Sequence, residues 1–146
     1  MSEQTNGKCS RLFAAGDSCG AIVLRETAGG TEVLMLSHGS RGWVFPTNRA
    51  NEGESETDAA KREVRSTAGI EIEIIPGFRC EAGSGLKKED RKMIYFLARP
   101  QTEELTVFDP DHSAPAWQPV SEAEKLLRFP EDLPPLTAAL EFAKQL

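Results

Sequence analysis

The sequence is poor in cysteine and histidine. It contains three cysteines, Cys9, Cys19 and Cys80, with no C-x-x-C pair among them, and two histidines, His38 and His112. A disulfide framework or a zinc site needs more of these residues at defined spacings. A thiol nucleophile would need a neighbouring base, and the sequence ties neither histidine to a cysteine. These counts argue against disulfide scaffolds, thiol enzymes and His/Cys metal sites.

Long apolar runs are also missing. The apolar segments at residues 21–24 and 93–98 are far shorter than the roughly 20 residues that a membrane span needs. The first seven residues are polar and lack the apolar stretch of a secretory signal. We therefore expect no membrane association, and an intracellular, reducing compartment, with the cytoplasm as the expected location.

Basic residues are outnumbered by acidic ones. The chain of 146 residues has 17 Lys or Arg and 23 Asp or Glu, a formal net charge of −6. Duplex DNA is bound mainly through basic surface that neutralises phosphates, so duplex DNA is not an expected partner. The length fits one domain. We predict a flexible N-terminus over residues 1–10 and a single domain over residues 11–146.

Strand-like and helix-like segments alternate along this domain. Predicted strands cover residues 18–25, 32–37, 70–79, 92–99 and 116–120, and predicted helices cover 55–68, 121–127 and 133–146. Ser55 is the expected N-cap of the first helix, Gly69 its C-terminal stop, and Ser121 the cap of the second. Residues 47–54 are predicted to be a polar loop, and Tyr95 a core residue whose hydroxyl finds a partner. The pattern predicts an α/β or α+β domain with a mixed sheet.

The segment around the first predicted helix carries a recognisable spacing. Glu54 is followed after seven residues by Arg62-Glu63, then by the aliphatic Val64, and finally by Gly69-Ile70. This spacing resembles the Nudix box, in which a Gly precedes the Glu and a Glu-Glu pair precedes the last Gly. The resemblance implies the α/β class and the Nudix fold, an α/β/α sandwich with a mixed central sheet.

The chain departs from the box at three positions. Asn48 replaces the first Gly, and Ser66 and Thr67 replace the Glu-Glu pair. Positions 63, 66 and 67 are one turn apart on one helix stripe, where three carboxylates would bind Mg²⁺ or Mn²⁺. Glu63 alone keeps its carboxylate, so Mg²⁺ or Mn²⁺ binding is expected to be weak or absent.

The resemblance also implies roles for the residues that match. Glu63, Glu54 and Arg62 are the candidate catalytic residues, with Glu54 and Arg62 tying the loop to the helix by a charge-assisted contact. We predict a pseudoenzyme or very weak hydrolase that binds a nucleoside polyphosphate, an RNA 5′ end or a protein partner. The alternative is an active Mg²⁺-dependent pyrophosphohydrolase that uses Glu63 with replacement acids. Candidates for these acids are Glu52, Glu56, Asp58, Glu103, Glu104, Asp109 and Asp111.

Outside the box, the chain is similar to the asymmetric diadenosine tetraphosphate hydrolase branch. The similarity is carried by residues 18–23, Trp43 with Phe45-Pro46, Gly77-Phe78, residues 93–98 and Trp117. It implies that Arg91, in a cluster with Lys87 and Lys88, contacts phosphates, although a solvated loop is the alternative. The position of a base-stacking aromatic residue in this branch is occupied by Ser84, which cannot stack.

Overall fold

A computed structural model describes residues 18–83, 92–109 and 113–146 of the chain. Its strands are β1 (Ser18–Thr27), β2 (Gly30–Ser37), β3 (Trp43–Val44), β4 (Thr47–Asn48), β5 (Ile72–Gly83), β6 (Lys92–Pro100) and β7 (Ala114–Pro119). Its helices are α1 (Glu56–Ala68), α2 (Val120–Leu126) and α3 (Leu133–Ala143), with short 3₁₀ turns at Gly39–Arg41 and Pro130–Asp132. None of the helices in these ranges is both long and apolar enough to cross a membrane.

The seven strands form one mixed sheet. Its main path runs β3-β2-β1-β6-β5, with β4 paired to β1 and β7 paired to β2. Strands β1 and β6 are parallel, with Ser18 beside Met93 and Val23 beside Ala98. The other pairs are antiparallel. The central parallel pair is flanked by antiparallel strands, as expected for a mixed sheet.

The helices cover both faces of this sheet. On one face, Ala59, Ala60 and Val64 of α1 pack in a buried cluster with Val23 and Phe96. The small alanine side chains let the helix axis approach the strands closely. On the other face, α2 and α3 contribute Ala123, Leu136 and Ala139 to a second cluster that contains Ile22 and Leu97. The predicted α/β/α sandwich of the α/β class is confirmed.

Helix α1 has the predicted ends. The Ser55 hydroxyl accepts a hydrogen bond from the backbone N–H of Asp58 at 3.1 Å. At the other end, Gly69 adopts a left-handed conformation with φ 75°, and its N–H donates to the carbonyl of Arg65 at 3.0 Å. The cap and the glycine fix the helix phase, and the phase decides which side chains face the sheet.

Several predicted features differ from the structure, and the ends of strands such as β5 and β7 are displaced by one to four residues from the predicted 70–79 and 116–120. Ser121 does not cap α2, because the helix begins at Val120 with Pro119 at the N-cap. Helix α3 ends at Ala143 and not at residue 146. The predicted loop 47–54 contains β4, whose Thr47 pairs with Gly20 of β1. This pairing depends on a long-range contact that a local sequence pattern does not encode.

Candidate functional site

Glu63 is the buried carboxylate of the helix stripe. Its side chain is only 6% exposed, and one oxygen, Oε1, accepts a hydrogen bond from the Asn48 side-chain amide at 3.2 Å. Burial raises the pKa of Glu63 above its ordinary value, and the Asn48 hydrogen bond and the Arg62 charge oppose this rise less strongly. The carboxylate therefore faces a neutral amide and a nearby guanidinium that is bonded elsewhere.

Ser66 and Thr67 follow Glu63 on the same stripe. The Ser66 hydroxyl donates to the Glu63 backbone carbonyl at 3.1 Å, and the Thr67 hydroxyl donates to the same carbonyl at 2.7 Å. Such bonds to the preceding helical turn are typical of Ser and Thr within helices. The stripe thus carries one carboxylate and two hydroxyls that are hydrogen-bonded to the helix backbone.

Asn48 is a site residue whose contact the sequence did not reveal. It lies in β4 beside Cys19 of β1, and its side-chain oxygen accepts from the backbone N–H of Arg49 at 2.8 Å. This bond orients the amide so that its N–H₂ group points to Glu63. The available signal was that Asn48 occupies a box position where the family has a residue without a side chain.

Glu54 and Arg62 form the predicted tie between loop and helix. Arg62 Nε donates to Glu54 Oε2 at 2.9 Å, and its terminal nitrogen donates to Oε1 at 3.1 Å and to the Arg49 carbonyl at 2.8 Å. The backbone N–H of Asn51 also donates to Glu54, at 2.7 Å. The Arg62 hydrogen bond lowers the pKa of Glu54. This two-bond geometry is among the stronger contacts between charged groups.

A cavity of about 410 Å³ lies beside the stripe. Glu63 and Thr67 line it from α1, and the 3₁₀ turn before α3 contributes Glu131 and Asp132. The remaining lining includes Phe45 and Tyr95, which are buried, and Phe129 and Arg128, which are more accessible. The cavity is large enough for a nucleoside-sized ligand, since typical small-molecule sites span roughly 300–1,000 Å³.

Asp132 is the second buried acid of this cavity. It is 5% exposed, and the Tyr95 hydroxyl donates to its Oδ1 at 2.8 Å. Burial raises the pKa of Asp132, the Tyr95 hydrogen bond lowers it, and the Glu131 charge adds to the rise. The expected buried position and hydroxyl partner of Tyr95 are confirmed. No local pattern predicts the role of Asp132, because 37 residues separate it from Tyr95.

The six proposed replacement acids that the structure describes do not line the cavity. Glu56 accepts two bonds from Arg79, at 2.8 and 2.9 Å, and Glu103 accepts one from Arg25 at 3.0 Å. The side chains of Glu52, Asp58, Glu104 and Asp109 are exposed, and none of these six acids lines the cavity. Asp111 lies outside the described residues. Within residues 18–83, 92–109 and 113–146, no three His, Cys, Asp or Glu side chains form a group that could hold a metal ion.

The predicted phosphate-binding cluster cannot be placed relative to the cavity. Lys87, Lys88 and Arg91, together with Ser84, lie outside the described residues. Among the residues that the structure describes, Arg128 is the arginine or lysine that lines the cavity, and its guanidinium lies 4.8 Å from the centre of the Phe129 ring.

Comparisons with known proteins agree with this fold and box. The NUDIX domain family model matches residues 16–140. The bis(5′-nucleosyl)-tetraphosphatase (asymmetrical) of Mus musculus is 30% identical over 126 residues, which cover 78% of this chain and 86% of the relative. The enzyme of the same name from Sus scrofa is 31% identical over 124 residues, covering 77% and 84%.

Solved structures share the architecture. A Caenorhabditis elegans Ap4A hydrolase, solved as a binary complex, has a TM-score of 0.78 and 22% identity, covering 90% of this chain and all of that one. The NUDIX domain of Shewanella oneidensis NrtR, solved with ADP ribose, has a TM-score of 0.68 and 13% identity, covering 96% and 94%. From the match to the family model, the relatives and the box on α1, the chain belongs to the Nudix family.

Proposed function

We propose that this protein binds a nucleoside polyphosphate in the cavity beside α1 and hydrolyses it very slowly or not at all. One observation carries the proposal: the carboxylate stripe of the box is reduced to Glu63, and Glu63 accepts a hydrogen bond from Asn48. The hydroxyls of Ser66 and Thr67 donate their hydrogen bonds to the helix backbone. The stripe therefore offers hydrogen-bond acceptors to a ligand and lacks the negative charge with which the box normally binds a cation.

This donor set is a poor fit for the divalent cation of the family. Mg²⁺ and Mn²⁺ are hard cations that favour several anionic oxygens, and the stripe offers one carboxylate and two neutral hydroxyls. An amide N–H₂ group beside Glu63 is a hydrogen-bond donor and cannot coordinate a cation. Metal-assisted attack of water would need the charge that Ser66 and Thr67 no longer supply.

The ligand class is supported by the relatives and by the cavity. The two mammalian relatives are named as nucleosyl tetraphosphatases, and the cavity has room for a nucleoside. We assign phosphate contacts to Lys87, Lys88 and Arg91 on the sequence resemblance. An RNA 5′ end has the same chemistry, a nucleoside joined to a phosphate chain, and is a natural extension of this class.

Active hydrolysis is the second candidate. It is favoured by the names of the relatives and by the presence of Glu54, Arg62 and Glu63, with the first two held in a two-bond contact. In that case Glu63 would be the residue nearest to the reacting groups, and Glu54 with Arg62 would fix the loop beside it.

Binding and turnover measured on the same protein separate the two candidates. We expect calorimetry to detect diadenosine tetraphosphate or ATP binding, and turnover with Mg²⁺ or Mn²⁺ to stay below about 0.01 s⁻¹, far under the roughly 1–10³ s⁻¹ of typical enzymes. Glu63→Gln should leave this low rate unchanged. Glu71→Gln is the matched control, because Glu71 is exposed and bonded to Arg65.

Two results would decide against the proposal. Turnover near 1 s⁻¹ that is abolished by Glu63→Gln and kept by Glu71→Gln would establish the active hydrolase. A failure of the wild-type protein to bind any nucleotide would remove the nucleoside polyphosphate as its ligand.

A further inference from the structure

The cavity is lined by a buried acid, Asp132, that does not belong to the box. Asp132 is 5% exposed and belongs to the 3₁₀ turn Pro130–Asp132, which directly precedes α3. Among the described residues, the hydrogen bond to its carboxyl group comes from the Tyr95 hydroxyl and ends on Oδ1. Oδ2, and the second lone pair of Oδ1, are therefore available as acceptors at the cavity wall.

The charge of this wall decides which part of a ligand can lie there. Among the described residues, the carboxylates that line the cavity are those of Glu63, Glu131 and Asp132, and the guanidinium that lines it is that of Arg128. Three carboxylates repel phosphate groups, and in a partly buried site this repulsion is weakly screened. The group beside Asp132 must therefore donate hydrogen bonds, and it must also be largely apolar to pack against the half-buried side chains of Val44, Met93 and Phe129.

A nucleobase meets both requirements, and its edge chemistry can be specified. Guanine carries two adjacent donors, N1–H and N2–H₂, which match the two acceptor oxygens of a carboxylate. Adenine carries an acceptor, N1, next to its amino group, so one of its edge atoms would face a carboxylate oxygen unfavourably. Hypoxanthine keeps N1–H and lacks the amino group.

We propose that Asp132 is a specificity-determining residue that selects a guanine base over adenine, with Tyr95 as the positioning residue that fixes its carboxylate. This inference rests on the proposed function, because it names the base of the nucleotide that the cavity would hold. The half-buried side chains of Val44, Met93 and Phe129 in the lining provide apolar surface for the flat base. The phosphate chain then extends away from the three carboxylates.

Calorimetric titration with GMP, IMP and AMP, in buffer with EDTA, tests the assignment. A matched two-donor contact discriminates between bases by about 1–3 kcal/mol, so we expect GMP to bind at least about fivefold more tightly than AMP, with IMP between them. Asp132→Asn keeps the shape of the side chain and replaces one acceptor by a donor. It should abolish the preference for GMP and leave AMP affinity within about twofold.

Two further variants make the result specific. Glu141→Gln changes an exposed acid of α3 and should leave the order of affinities intact. Tyr95→Phe keeps the Asp132 carboxyl group and removes its hydrogen bond, so we expect it to reduce the preference for GMP without eliminating it. If Asp132→Asn does not fold, the wild-type order of affinities for the three nucleotides and the Tyr95→Phe result still test whether Asp132 selects guanine.

The failures of the two proposals are distinguishable. Equal affinity for GMP and AMP in the wild-type protein would overturn the role of Asp132 and leave nucleotide binding standing. A uniform loss of affinity for all three nucleotides in Asp132→Asn would likewise overturn base selection. Absence of binding by any of the three, and by ATP and diadenosine tetraphosphate, would overturn both.

Discussion

Glu54 and Glu63 are both box residues, yet they occupy opposite electrostatic environments. Glu54 accepts two hydrogen bonds from Arg62 and one from the Asn51 backbone, and these lower its pKa. Glu63 is buried and accepts a bond from the neutral Asn48 amide, and its pKa is raised. One carboxylate is stabilised as an anion, whereas the other carries a desolvation cost that a bound cation would ordinarily offset.

The difference indicates that two parts of the box can vary separately. One is the framework contact between Glu54 and Arg62, and the other is the stripe at positions 63, 66 and 67. The contact between Glu54 and Arg62 depends on residues that the chain keeps, and it joins the loop to α1. In the proposed function, the cation site would depend on positions 66 and 67, where this chain has hydroxyls. On this proposal, the chain keeps the family pattern where it joins the loop to α1 and departs from the pattern at the positions proposed to bind the cation.

Restoring the stripe should have the largest effect. Asn48→Gly with Ser66→Glu and Thr67→Glu adds two carboxylates, which gives the stripe three with Glu63, and removes the amide donor to Glu63. A bound cation contributes several kcal/mol of charge stabilisation, so we expect turnover with Mg²⁺ to rise by about 100-fold or more. Phosphate release from diadenosine tetraphosphate products, coupled to a phosphatase, measures it.

The matched control for this variant carries glutamines in place of the new glutamates. Asn48→Gly with Ser66→Gln and Thr67→Gln has the same side-chain size without the charge and should stay inactive. An equal gain of turnover in both variants would show that side-chain shape, and not charge, limits the reaction. No gain in either variant would show that the missing carboxylates are not the cause of the low turnover.

Breaking the framework contact should have the next largest effect. Arg62→Met removes the two bonds to Glu54, whose side chain is only 16% exposed. Leaving a largely buried charge without its partner costs about 2 kcal/mol, so urea denaturation should show a loss of that size. Arg65→Met breaks a contact with Glu71 in which both side chains are about half exposed.

The Arg65 variant should lose less than about 0.5 kcal/mol, as exposed ion pairs usually do. Equal losses of unfolding free energy in the two variants would mean that the Glu54–Arg62 contact contributes no more to stability than the exposed Arg65–Glu71 contact.

The pH dependence of stability should separate Glu54 from Glu63, with the smallest effect of the three. The lowered pKa of Glu54 stabilises the fold above the ordinary carboxyl value near 4.3, and this contribution is lost as the pH falls through the native pKa. The raised pKa of Glu63 acts in the opposite direction. Ionisation of Glu63 destabilises the native state. This destabilisation is absent below about pH 4 and is complete above the native pKa of Glu63.

Urea titrations of Glu54→Gln and Glu63→Gln between pH 3 and 8 measure the two contributions. Relative to wild type, the Glu54 variant should be less stable at neutral pH and recover towards equality on acidification. The Glu63 variant should gain relative stability as the pH rises. Parallel curves for the two variants would contradict the contrast between their environments.

The sequence predicted the framework better than the cavity. The Ser55 cap, the Gly69 stop and the Glu54–Arg62 contact depend on residues within one helix and its adjoining loop, where spacing determines geometry. Asn48 and Glu63 meet because β4 pairs with β1, and Asp132 meets Tyr95 across 37 residues of chain. Such contacts depend on tertiary packing, so local periodicity could not reveal either the partner of Glu63 or the second acid of the cavity.

The close approach of β1 to the segment before β4 has a consequence for how this site could change. A Cβ atom at Gly20 would lie 2.1 Å from the Pro46 carbonyl oxygen, so any larger residue there would displace the Pro46–Asn48 backbone. Gly20 itself touches neither Glu63 nor the stripe through a side chain. A substitution of Gly20 would therefore act on the site indirectly. It could move the Asn48 amide away from Glu63 while every box residue stays the same.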